Sequence, residues 1–149
     1  PPPPPPPPHF FFNPPPATPE PLWSRGLGDV YKRQIVTTAG LRVEDDADWN
    51  AGDQGFTEIS HDADRLTLAH YSPNFDRVGW VLDKNVVFPI DRLHELAKEG
   101  VIGSVADTHI SFMGAQPDHT LETIRLDSGP AAAQRLANDQ VDLVLLTPV

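Results

Sequence analysis

The stretch VVFPIDRLHELAKEGVIGSV, residues 86–105, constrains the fold more than any other part of the sequence. Ile90, Leu93, Leu96 and Ala97 fall on one face of a helix, so the segment reads as amphipathic and packed against a larger apolar surface. Pro89 sits near the helix start, where a missing N–H costs nothing. Asp91 in the first turn and Lys98 in the last complement the helix dipole, and Gly100 is placed for a C-terminal cap. Val86, Val87 and Phe88 read as the end of a strand or extended segment. Val101 and Ile102 read as the opening of the next strand, which continues to Val105. A helix between two apolar segments at these lengths implies a crossover connection.

The rest of the chain after Gln34 extends that pattern. IVTTAGL (residues 35–41) is a β-branched run ending in a small-residue turn, as a buried strand does. RVEDDADWNAGDQG reads as an acidic loop. Asp45, Asp46, Asp48, Asn50 and Asp53 crowd together there, but their spacing does not fit a calcium-binding loop. FTEIS and DRLTLAHYS alternate apolar and polar residues, as half-buried strands do. PNFDRVGWVLDKN reads as a loop with packed aromatics. Leu121 to Leu126 form a weaker helical stretch that Asp127 to Pro130 interrupt, and Ala131 to Gln140 form a helix with Pro130 near its start. VDLVLLTPV is a nearly continuous apolar run, which suits a parallel strand covered on both faces. The expected fold is α/β: a partial parallel sheet in a Rossmann-like three-layer domain with right-handed crossovers, truncated at its C-terminus. No GxGxxG or Walker pattern follows any strand, and no set of His and carboxylates has metal-ligand spacing. His61, His94 and His119 read as surface or loop residues.

The first 34 residues are of another kind. Thirteen of the 18 prolines lie in the first 22 positions. The following stretch, SRGLGDVYKRQ (residues 24–34), resembles the in-frame translation of a transposase-adapter oligonucleotide used in sequencing libraries. The codons GAT-GTG-TAT-AAG-AGA-CAG give its last six residues. Residues 1–34 are therefore set apart as a non-native leader, expected to be disordered or extended, and residues 35–149 as the domain.

Charge narrows the partners. After Gln34 the chain carries 8 Lys/Arg against 19 Asp/Glu. Such acidity argues against nucleic acid or an anionic membrane, both of which need a basic patch. No apolar run approaches the ~20 residues of a membrane helix. The chain has no cysteine, so it offers neither disulfides nor thiolate chemistry. By default these features point to the cytoplasm.

Four blocks, IVTTAGL, SPNFDRVG, NVVFPIDRLHELAKEGVIGSVADTHISFMG and VDLVLLTPV, resemble the selenoprotein B family of glycine/sarcosine/betaine/D-proline reductases. The likeness covers essentially all of residues 35–149 in order, and residues 89–114 are its most specific part. The resemblance implies a redox subunit whose selenocysteine or cysteine attacks the substrate carbon and reductively cleaves a carbon–nitrogen bond. It also implies other reductase-complex subunits as partners, one of which holds the amine through a pyruvoyl group, and a small amine or amino acid as substrate. The chain departs from the family by having no selenocysteine or cysteine, and it stops just before the point where relatives carry one. Val149 is expected to be an artificial end followed by a UGA codon. A relative that kept the fold as a non-catalytic binding or structural module is the competing reading.

Within that resemblance, the carboxyl ends of the strands are where a ligand would sit. Backbone N–H groups at Thr37, Thr38 and Gly40 are candidates for holding a carboxylate, as is Arg77 by bidentate pairing. His70, Asn74 and Asp76 lie beside it. Asp107, His109 and Ser111 alternate onto one face, and His109 is the candidate general acid for the leaving amine. Tight turns, a local Asp76–Arg77 pair and a structural histidine are the plainer readings of the same residues.

Overall fold

The computed structural model describes residues 31–149. Its larger sheet has five strands, β1 (Lys32–Thr37), β3 (Phe56–Ser60), β5 (Ser104–Val105), β6 (Thr108–Phe112) and β7 (Leu143–Thr147). A separate antiparallel pair joins β2 (Leu41–Val43) to β4 (Leu66–Leu68). β1 runs parallel to β5, β6 and β7. β7 pairs with it over residues 33–37, while β5 meets residues 32–33 and β6 residues 36–37. β5 and β6 thus behave as one strand broken at Ala106 and Asp107. β3 closes that side antiparallel to β6. The expected α/β class with a mostly parallel sheet is what the structure shows.

The helices are α1 (Arg77–Leu82), α2 (Ile90–Lys98), α3 (Asp118–Thr123) and α4 (Gly129–Asn138). Strand alternation sends Ile35 and Val36 to opposite faces, and each face has its own apolar cluster. Ile35 and Ile59 pack with Val87, Phe88, Ile90 and Leu93 from α2 and the turn before it. Val36, Phe56, Ile110 and Phe112 pack with Ala132 and Leu136 of α4 and with Ile124. α2 keeps the expected face and ends at Gly100, whose φ of +73° suits a residue without Cβ.

Several expectations are corrected. Val86 is not strand but the end of a 3-10 turn, Lys84–Val86, and the strand read as Val101–Val105 shrinks to two residues, with His109 and Ser111 inside β6. The supposed loop PNFDRVGWVLDKN contains α1, because Asp76 accepts from the Val78 N–H and caps it. Its apolar residues Val78, Val81 and Leu82 face solvent, so no amphipathic pattern betrayed it. Asp127 to Pro130 do not interrupt the helix. They widen it into a π turn, Ile124–Ser128, that leads straight into α4. Gly129 makes this possible, since a Cβ there would stand 2.5 Å from the Ile124 carbonyl oxygen. β7 is not covered on both faces. It pairs only with β1 among the described strands, and Leu143 and Leu146 are exposed.

Residues 1–30 of the supposed leader lie outside the described residues. Lys32, Arg33 and Gln34 do not stand apart from the domain, because they form the first half of β1. Strand pairing uses backbone groups, which every residue but proline carries in full, so these three residues pair whatever their origin. Two arginines pair with part of the acidic loop: Arg42 with Asp48 at 2.6 Å, and Arg65 with Glu44 and Asp45.

Candidate functional site at the carboxyl edge of the parallel strands

β1, β6 and β7 end level with one another, since Thr37 stands opposite both Ser111 and Thr147. The residues just beyond them gather at one edge. The Thr38 hydroxyl accepts from the Val149 N–H at 2.9 Å and donates to the Val149 carbonyl at 3.2 Å, which fixes the chain direction there. Ala39 bridges Met113. The loop from His70 to Asp76 packs beside them, held by a hydrogen bond from the Tyr71 N–H to Met113 Sδ and one from the Ala69 N–H to the Gly40 carbonyl.

Two open clefts meet at Ala115 and Val149. One, of about 330 Å³, is largely apolar and is lined by Thr38, Phe112, Met113, Gly114, Leu121 and Ile124. The other, also about 330 Å³, is lined by His70, Ser72, Asn74, Phe75 and Asp76. Sequence patterning does not single out Gly114. Gly114 is required by close approach: a Cβ there would stand 2.6 Å from His70 Nε2 and 2.6 Å from the Thr38 carbonyl oxygen.

His70 is 4 % exposed. Its Nδ1 accepts from the Ser72 N–H at 3.2 Å, its ring stacks on Phe75 at 4.3 Å, and its Nε2 has no protein partner. With Nδ1 accepting, the neutral ring carries its proton on Nε2. Burial, and then the nearby Arg77 guanidinium, hold His70 below the usual histidine range.

Arg77 does not reach into the cleft as a carboxylate clamp. Its guanidinium donates to the carbonyls of His70 (2.6 Å), Ser72 and Phe75, stapling the loop. Nor does it pair with Asp76, which caps α1 while lining the cleft with Asn74. Two of the three amides proposed for a carboxylate are also taken. Thr38 N–H donates to the Thr147 carbonyl and Gly40 N–H to that of Phe112, and the Thr37 hydroxyl is used by Ala39 N–H. Gly40, at φ +62°, makes the turn that lets Leu41 enter β2.

His109, Ser111 and Asp107 are not brought to this edge as a group. Ser111 is buried and accepts from the Leu41 N–H at 2.8 Å. Asp107 precedes β6, and its carbonyl accepts from the His61 N–H. His109 is fully buried at mid-strand, edge-on to Phe88, with Nδ1 accepting from the Ile35 N–H at 3.0 Å. Burial first, and then the charges of His61 and His94, push its pKa down to about 4. It lines neither cleft. Among the described residues no three His, Cys, Asp or Glu side chains gather as a metal-binding group, and no helix is long and apolar enough to cross a membrane.

Comparison with known proteins gives the chain's family. The chain is 35% identical over 133 residues to the D-proline reductase subunit gamma of Acetoanaerobium sticklandii, a match covering 87% of this chain and 54% of that protein. It is 32% identical over 124 residues to the sarcosine reductase complex component B subunit beta of Peptoclostridium acidaminophilum, covering 78% of this chain and 27% of that protein. The chain thus spans about half the length of the first relative and about a quarter of the second. No solved structure matches. Residues 48–149, which include every lining residue of the two clefts except Thr38, fit the family described as glycine/sarcosine/betaine reductase selenoprotein B, and the chain belongs to that family.

Proposed function

We propose that this chain is part of a reductase subunit that cleaves a C–N bond of a small amine or amino acid of the glycine, sarcosine, betaine or D-proline type, working with other subunits of a complex. The observation that carries the reading is the meeting of two clefts at Val149, one largely apolar and one bearing His70, Ser72, Asn74 and Asp76, on the strand edge where ligands of open α/β sheets sit. The missing redox residue is a selenocysteine or cysteine beyond Val149. When present it supplies a chalcogenolate that attacks the substrate carbon, while the amine departs with the C–N electron pair and takes up a proton.

The chain's own residues prepare that position. Thr38 holds both backbone groups of Val149 and so aims the next residue of the full-length chain. Phe112, Met113, Leu121 and Ile124 give the substrate's alkyl part an apolar wall that sheds water. On the other side, the His70 ring, held rigid by Ser72 and Phe75, forms part of the wall of the second cleft, whereas its Nε2 is buried beside Gly114. A partner subunit that holds the amine through a pyruvoyl group completes the proposal.

The test uses the protein expressed from an uninterrupted gene together with its partner subunits. A dithiol is supplied as reductant, and amine release or ring opening is followed for the four substrates. Dithiol-dependent cleavage of at least one is expected. Cleavage of none of them, in a preparation whose subunits assemble, overturns the proposal.

A further inference from the structure

Away from the carboxyl edge, two histidines from different elements meet at the surface. His61 follows β3 and His94 lies on the solvent side of α2, and His61 Nδ1 stands 3.4 Å from His94 Nε2. Their rings are edge to face, with centroids 5.6 Å apart at 88°. That separation is long for a hydrogen bond from an N–H, whose usual length is about 2.9–3.0 Å. It is the right length for something else. A tetrahedral ion with Zn–N bonds of ~2.0–2.1 Å holds two nitrogen ligands ~3.3 Å apart.

We propose that His61 Nδ1 and His94 Nε2 are two ligands of a divalent transition-metal site, with water in the remaining positions. Imidazole pairs suit Zn²⁺, Ni²⁺ and Cu²⁺ rather than the hard cations Mg²⁺ and Ca²⁺, which take oxygen ligands. The chain's net charge of −10 favours cation binding. Coordination has a structural consequence here. The His61 N–H is already tied to the Asp107 carbonyl between β5 and β6, and α2 carries Ile90 and Leu93 into the core. A bridging ion therefore clamps α2 onto the sheet edge that β3 and β6 form, and it binds the folded state in preference to the unfolded one. The site is independent of the redox residue and of the proposed reductase activity.

The test is thermal unfolding and calorimetric titration of the whole chain with ZnCl₂, NiCl₂ and, as a hard-cation control, MgCl₂. The variants are His61→Ala, His94→Ala and His119→Ala; His119 lines a separate cleft with Gly52 and Tyr71. Zn²⁺ and Ni²⁺ are expected to raise Tm in the wild type and in His119→Ala, with reversal by EDTA, and Mg²⁺ to leave it unchanged. The rise should be lost in both His61→Ala and His94→Ala, each of which alters an accessible side chain and should fold normally. Binding that persists in either variant means adventitious association with surface carboxylates and overturns the proposal. So does the absence of any Zn²⁺- or Ni²⁺-dependent rise in the wild type.

Discussion

Replacing Gly114 with alanine should damage the carboxyl edge specifically. The new Cβ would stand 2.6 Å from the Thr38 carbonyl oxygen, 2.6 Å from His70 Nε2 and 3.1 Å from the Val149 carbonyl oxygen. Carbon normally keeps about 3.4 Å or more from such atoms, so two neighbours must retreat by most of an ångström. Neither is free to do so. Thr38 is pinned by its N–H to the Thr147 carbonyl, and His70 by the Ser72 N–H and the Phe75 ring. Overpacking of this kind costs about 1–3 kcal/mol. For a domain of roughly 100 residues, each kcal/mol lowers Tm by about 4–8 °C. The control is Gly55→Ala, where nothing lies within 4 Å of the added methyl and the change should stay within about 0.5 kcal/mol. Chemical denaturation of both variants beside the wild type reads the difference, with hydrogen exchange at Thr38, Ser72 and Val149 locating it. If Gly114→Ala matches Gly55→Ala in stability, the close packing of Thr38, His70 and Val149 around residue 114 is wrong.

Buried polar groups give two further outcomes. His109 is neutral in the fold, and its depressed pKa means that the unfolded chain binds a proton more readily. Its contribution is fully present above the unfolded value of about 6.5 and is lost as pH falls toward the folded value of about 4, by about 3 kcal/mol in all. His109→Gln should flatten the stability profile between those limits, and an unchanged slope would refute the assignment. Gln34 is fully buried in β1 with both amide atoms unpaired, a state that costs about 1–3 kcal/mol. Gln34→Leu should therefore raise the denaturation midpoint, and a lower midpoint would show that the amide has a partner.

The sequence disclosed elements whose signal is local. α2 was readable because its apolar spacing, its dipole charges and Gly100 all agree, and β1, β3, β4 and β7 because their strand patterns are strong. The hidden elements depend on tertiary placement. α1 has an N-cap but only Trp80 to pack against the core, and the π turn rests on one glycine packed against a carbonyl. β7 is exposed because none of its side chains joins either apolar cluster.

The site divides in the same way. His70, Asn74 and Asp76 are legible as neighbours because they lie in a single loop after a strand, and Thr38 as a strand-end residue; the structure puts all four at the two clefts. Val149 is legible as the end of the last strand, but Gly114 is not, since its constraint comes from the close approach of Thr38 and His70. His109 and Arg77 looked chemical by type. Burial against Phe88 and bonding to the loop's own carbonyls, respectively, give them structural work instead.

The central claim is that the carboxyl edge at Val149 is the approach to a redox residue. It is tested most directly by reading the native gene through the codon after Val149. The account predicts UGA, or a cysteine codon close by, followed by an open frame of a length comparable to the rest of the relatives. A UAA or UAG at that position, or a frame that continues without selenocysteine or cysteine near the edge, would contradict it.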